Sequence, residues 1–280
     1  MQTDPDASLV TQALGGELDA LDALVRRHQS WIFNLALRMI WRRDLAEDAT
    51  QEILLKAVTK LSTFQGQCAF RTWLYRVAVN HLLQVRKSEM EAQKMTFADL
   101  GRSLDGVADA ELPDERSLPV PTTVLVEEAR LGCITAMLMC LDRRQRLAFI
   151  LGEVFGETSE VGAEVLGESP ANFRQLLSRA RRDLYQFMND KCGLVNTANP
   201  CRCARKAQGF MRHGWLDPRN LQFSSDRLAD VAQVAPSRLE ELEELDRHHA
   251  ELYRRQPFLA GPDLARRLRE ALAQSGFDAV

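Results

Sequence analysis

Between Glu52 and Glu89 the chain has no acidic residue, while Lys56, Lys60, Arg71, Arg76, Arg86 and Lys87 place six fixed positive charges there. The whole chain carries a formal charge of −3, so this imbalance is local and asks for a local cause. Within the stretch, Phe70, Leu74, Val77, Ala78, His81, Leu82 and Val85 recur three and four apart, which predicts a helix from about Thr72 with one face buried. The other face holds Arg71, Arg76, Gln84, Arg86 and Lys87, interleaved with Trp73 and Tyr75. Cations neutralise phosphates and rings stack on unpaired bases at about 1–3 kcal/mol per base, so the face suits single-stranded or melted DNA better than intact duplex. The same residues also read as half-buried packing rings beside a solvated cationic face, and the segment alone does not choose.

The remainder reads as all-α. Apolar residues keep helical spacing from Ser8 to Val25, with Gly15 and Gly16 as a break, and a second helix over Ser30 to Trp41 is apolar on most sides, as the centre of a bundle would be. A third runs from Asp44 to Leu61, with acids in its first half and Lys56 and Lys60 in its second, the order that complements the helix dipole. Residues 1–92 form the first expected domain. Residues 93–121, with Gly101, Gly106, Pro113, Pro119 and Pro121 among acids, read as a flexible acidic linker. Helical spacing returns in a domain over 122–189. It holds a helix over Thr122 to Leu141, a second ending near Gly152 or Gly156, and two segments, Ser159 to Leu166 and Ala171 to Met188, joined by Gly167-Glu168-Ser169-Pro170. Ser169 as cap and Pro170 at the first helical position make a strong helix start, and the spacing is that of a helix-turn-helix, whose second helix enters the major groove. That helix carries Arg174, Gln175, Ser178, Arg179, Arg181 and Arg182 before its first acid, Asp183; arginine and glutamine can read base edges and the others grip phosphate.

Two of these stretches resemble regions 2 and 4 of bacterial RNA polymerase sigma factors, of the extracytoplasmic-function group in the sigma-70 family. The first resemblance is carried by DLAEDATQEILLKAVTKLSTFQGQCAFRTWLYRVAVNHL, and the second by the helix-turn-helix, in the family's usual order and separation. It implies that Asp48, Gln51 and Glu52 bind the β′ clamp helices of the polymerase core. Phe64, Gln65, Gln67, Phe70, Arg71, Trp73, Arg76 and Asn80 would then take the −10 promoter element as an unpaired strand. Ser169, Asn172, Arg174, Gln175, Ser178, Arg179 and Arg182 would take the −35 element. It further implies the β flap, promoter DNA and an anti-sigma factor as partners, and no membrane insertion. The chain departs from the family pattern at Gln65 and Gln67, which stand for an arginine and an acid, and at Gly162, Glu168 and Leu176. Gly162 replaces an apolar core residue, so the first helix of the motif is expected to be loose, since glycine costs about 1 kcal/mol in a helix interior.

Residues 190–280 form an extension with a cysteine-rich segment and amphipathic helices. Cys192, Cys201, Cys203 and His213 are a chemically adequate zinc set, but Cys-x-Cys is not the common spacing of zinc modules, and free thiols in a small loop-rich cap are the reading preferred; no cofactor is expected. Farther on, an acidic helix with Glu240, Glu241, Glu243, Glu244 and Asp246 either folds against a basic surface of the same chain or is an ordinary solvated face. No apolar run reaches the ~20 residues of a membrane span and the N-terminus lacks the pattern of a signal peptide, so a cytoplasmic protein is expected. No nucleophile triad, phosphate-binding glycine loop or dinucleotide motif is present, and no enzyme is expected. A stand-alone helix-turn-helix regulator and a metal- or redox-sensing interaction protein are the alternatives to a sigma factor. The first has no use for a single-strand trough, and stoichiometric zinc without polymerase binding would favour the second.

Overall fold

A computed structural model describes residues 4–85, 94–223, Tyr253 and 263–266. Among them the fold is all-α, and the one β feature is an isolated bridge between Cys192 and Cys201. None of the described helices is long and apolar enough to cross a membrane. The chain divides into two compact units, one of Met1–Arg86, Thr158–Arg174 and Ala260–Val280, the other of Lys87–Glu157 and Gln175–Leu259.

The first unit is built on α1 (Ala7–Leu14), α2 (Leu18–Ile40), α3 (Arg43–Thr59) and α4 (Phe70–Gln84). The break at Gly15–Gly16 is present, with Gly16 at φ 90°. The helix expected from Ser30 instead starts at Leu18 and runs unbroken to Ile40. Nothing between Leu18 and Ser30 breaks a helix, and the polar residues there have partners: Arg26 with Asp22 at 2.7 Å, and Arg27 with Asp6 at 2.6 Å. Ile32, Phe33, Leu35 and Ala36 on α2, Ile53 on α3 and Leu74, Tyr75 and Ala78 on α4 are sealed from solvent where α2 packs on α3 and α4. Each such large side chain contributes about 1.5–3 kcal/mol by leaving water.

Two aspartates near the N-terminus tie this bundle together. Asp4 Oδ2 accepts from the Phe70 backbone N–H at 2.7 Å, capping the start of α4 from far along the chain. Asp6 meets the buried His28 Nε2 at 3.0 Å, and His28 Nδ1 accepts from Trp31 Nε1–H at 2.9 Å. Burial holds the His28 imidazole below its ordinary pKa against the pull of Asp6, so the ring is a neutral structural link.

The segment 158–174 adds α8 (Ser159–Leu166) and the start of α9 (Pro170–Lys191), with Gly167 left-handed at φ 64° between them. Thr158 caps α8, and Ser169 Oγ accepts from the Asn172 N–H at 3.1 Å to cap α9. The looseness expected at Gly162 is absent. The Phe173 ring lies directly over Gly162, where an added Cβ would come within 2.2 Å of it, so the missing side chain is replaced by a ring from the next helix.

In the second unit, the segment expected to be a flexible linker holds a helix, α5 (Phe97–Gly106). Thr96 and Asp99 form a reciprocal capping box, and Leu100, Leu104 and Val107 bury an apolar stripe. Helix α6 (Thr122–Met139) is followed by α7 (Arg143–Phe149), which widens into a π turn over Ile150–Val154 and stops before Gly156 at φ 73°. The buried Arg146 guanidinium donates to the Leu138 and Leu141 carbonyls at 2.9 and 3.1 Å, satisfying the end of α6. Beyond α9, α10 (Cys203–Arg212) packs on α6, so the boundary expected at residue 190 falls inside a packed unit. Glu128 accepts from the Gln222 and Phe223 N–H groups at 2.6 and 3.1 Å, and Tyr253 is fully buried, its ring edge-on to Phe149 at 4.8 Å. Arg86, Lys87 and the acidic helix expected at Glu240, Glu241, Glu243, Glu244 and Asp246 lie outside the described residues.

Candidate nucleic-acid interface

In the first unit a groove of about 640 Å³ opens beside α4. Its walls come from α3, the loop after it and α4. A short turn at Leu61–Thr63 ends α3, and Gly66, left-handed at φ 69°, turns the loop back toward α4. Six of the eight residues expected at an unpaired strand line the groove: Phe64, Gln65, Gln67, Trp73, Arg76 and Asn80. Gln67 Nε2 donates to Gln65 Oε1 at 3.0 Å, so the two departures from the family pattern form one polar edge with exposed amides.

The other two are placed elsewhere. Phe70 is 3% exposed, with its ring stacked on Trp73 at 5.5 Å and edge-on to His28 and Phe64, which makes it the packing residue under the loop. Arg71 donates to Tyr75 OH from Nε at 3.0 Å and Nη2 at 2.8 Å and lies over the Trp31 and Tyr75 rings. Tyr75, read from the sequence as a stacking face, is completely buried. Trp73 is 9% exposed, so the groove presents a small part of a ring held rigidly from behind.

Lys56 and Lys60 were counted in the cationic stretch but not among the residues at an unpaired strand, and His81 was placed on the apolar face; all three line the groove. Lys56 Nζ donates to His81 Nδ1 at 2.6 Å, and Glu52 stands 3.7 Å from the other ring nitrogen. Burial first, and the Lys56 charge second, hold the His81 pKa below its ordinary value, so the neutral ring is free to accept from the ammonium. The i, i+4 spacing of Lys56 and Lys60 was the available signal. With Arg76 they give the groove three cations around a partly apolar floor. Such a lining can hold a phosphate backbone with a base turned inward.

On the outer side of α3, Asp48 and Glu52 are exposed and Gln51 is half-buried, with Leu55 41% exposed next along the same strip. On α9, every residue expected at duplex DNA is exposed: Ser169, Asn172, Arg174, Gln175, Ser178, Arg179 and Arg182. Their spacing of three and four keeps them along one side of the helix, above Phe173, Leu177, Ala180 and Leu184, which are buried. Arg181 is different, since it pairs with the buried Glu153 of the π turn and is structural.

The cysteines are all free thiols. Burial first, and neighbouring cysteines with Cys192 among them second, hold the Cys133, Cys201 and Cys203 thiols above their ordinary pKa, and Cys140 is pushed up to about 12, chiefly by burial. His213 is not with them; it is exposed and stacked on Trp215 at 5.1 Å. Among the described residues no three donors are placed to hold a metal ion.

Family models agree with both stretches: sigma-70 region 2 matches residues 24–90 and sigma-70 region 4 matches residues 131–184. The chain is 32% identical over 132 residues to the RNA polymerase sigma-H factor of Pseudomonas aeruginosa, covering 43% of this chain and 68% of that one. It is 29% identical over 184 residues to the ECF RNA polymerase sigma-E factor of Escherichia coli, covering 63% of this chain and 90% of that one. A solved complex of the sigma factor RpoE with the anti-sigma factor NepR from Bartonella quintana covers 60% of this chain and 95% of its own, at 24% identity and a TM-score of 0.39. The chain belongs to the sigma-70 family of RNA polymerase sigma factors. Within that family it is of the extracytoplasmic-function type, a promoter-specificity factor for RNA polymerase.

Proposed function

We propose that the groove beside α4 captures the unpaired strand of the −10 promoter element, while the exposed side of α9 reads the −35 element as duplex. The exposed strip of Asp48, Gln51, Glu52 and Leu55 on α3 would dock on the β′ clamp helices of the polymerase core. The observation that carries this reading is the groove itself. Arg76 and Asn80 line an open trough with Lys56 and Lys60, beside the nearly buried Trp73, where a core-packing role would have sealed Arg76 and Asn80 in. Unstacking and turning out a base costs a few kcal/mol, which ring stacking and phosphate contacts in such a trough offset. The work is binding, with no bond made or broken by the chain, and the polymerase supplies the chemistry.

The test is transcription in vitro by core polymerase on a genomic fragment library, with and without the chain. Discrete new transcripts that depend on the chain are expected, and an unchanged transcript set would overturn the proposal. A duplex-binding regulator would instead retain fragments without core polymerase and give no chain-dependent start sites.

A further inference from the structure

We propose that Glu164, on the first helix of the helix-turn-helix, is an internal competitor for the groove, holding a carboxylate where a phosphate of the unpaired strand would bind. The inference rests on the groove function proposed above. Within the first unit α8 packs against α4. One Glu164 carboxylate oxygen lies 3.4 Å from Arg76 Nη1. Arg76 is a lining residue of the groove and its main cation on α4. Cys68, from the loop that closes the groove, stands at the same spot: Arg76 Nη2 donates to its Sγ at 3.4 Å. The thiol is held above its ordinary pKa by burial first, and the Glu164 carboxylate beside it adds to the rise. Loop, groove helix and helix-turn-helix thus meet at one guanidinium.

Carboxylate and phosphate are alike to arginine, since both offer anionic acceptor oxygens to the same planar fork of N–H donors. A strand entering the groove must therefore displace Glu164 or share Arg76 with it. Both side chains are about two-fifths exposed, at 40% and 42%, so the pair is screened by water and salt. The competition acts as a modest brake. It also lies on the module that reads duplex, so the element proposed to hold the −35 DNA carries the group that must leave the −10 groove.

The test uses the full chain and a short fluorescein-labelled oligothymidylate, titrated by anisotropy at low salt. Glu164→Gln is expected to tighten binding by about two- to fivefold, the size of an exposed ion pair, and the gain should shrink at high salt. Glu160→Gln, which removes a charge one turn earlier on the same helix, where the neighbouring cation is Arg174, should leave affinity unchanged. In an Arg76→Ala background, Glu164→Gln should add nothing. If Arg76→Ala weakens binding while Glu164→Gln leaves it at the wild-type value, the competition is refuted and the groove stands. An equal gain from Glu160→Gln and Glu164→Gln would reduce the effect to net charge and also refute it. If Arg76→Ala itself has no effect, the groove reading fails and the competition with it.

Discussion

The groove beside α4 and the outer side of α9 both present arginine to solvent, yet they are built on opposite plans. The groove is concave, its ring mostly buried and its cations gathered around a loop that turns at Gly66. The α9 surface is convex and mostly polar, every expected reader exposed along a helix backed by Phe173, Leu177, Ala180 and Leu184. A helix surface fits a major groove that already exists in the duplex. A trough with a ring at its edge fits bases only after they have been unpaired. The same charge thus serves two states of DNA, and local shape tells them apart.

That contrast can be broken first at Phe70. If it is the packing residue beneath the groove, Phe70→Ala should cost about 3–5 kcal/mol in urea unfolding, the range for a large buried aromatic. Loss of DNA binding at full stability would return it to the contact surface. Gly162→Ala tests the other module. A methyl group there meets the Phe173 ring, so overpacking should cost about 1–3 kcal/mol by the same measurement, and a neutral result would mean the two helices have room to spare. Arg174→Ala should weaken duplex −35 binding by about 1–3 kcal/mol and leave oligothymidylate affinity intact. An equal loss on both ligands would erase the distinction between the two surfaces.

The smallest expected effect is on pH. His28 and His81 are both held below their ordinary value near 6.5 by burial. The unfolded chain then binds more protons than the folded one, so stability falls as pH drops below about 6.5 and the loss levels off below the folded-state values. Thermal melting from pH 7.5 downward should show this decline, and the decline should shrink in His28→Gln. A Tm independent of pH in this window would mean the two rings are not held neutral by the fold.

Much of this was legible in the sequence wherever a signal is local. The break at Gly15–Gly16, the helix through Trp73 and Asn80, and the Ser169-Pro170 start of α9 all rest on spacing or capping within a few residues, and the structure has them. What was missed depends on partners far along the chain. Asp4 caps α4, Phe173 fills the space at Gly162, and Lys56 meets His81, and none of these follows from periodicity. The helix at Phe97–Gly106 was hidden by its glycines, although the Thr96–Asp99 box marked its start. Tyr75 was read as a stacking face because rings near cations look alike whether they face water or a core, and Phe70 was placed at the interface by the resemblance although its own spacing put it on the buried face. Trp73 shows how narrow the margin is, since one edge of a nearly buried ring is all that reaches the groove.

The central claim is tested most directly by separating strand capture from duplex recognition within one holoenzyme. On promoter fragments selected by wild-type holoenzyme, permanganate reactivity of unpaired thymines would report opening, and filter retention of the closed complex would report duplex binding. Asn80→Ala, exposed on the groove wall, should lower opening and keep retention, while Arg174→Ala should lower retention first. If both variants lost the same step to the same degree, the two surfaces would not divide the work as claimed.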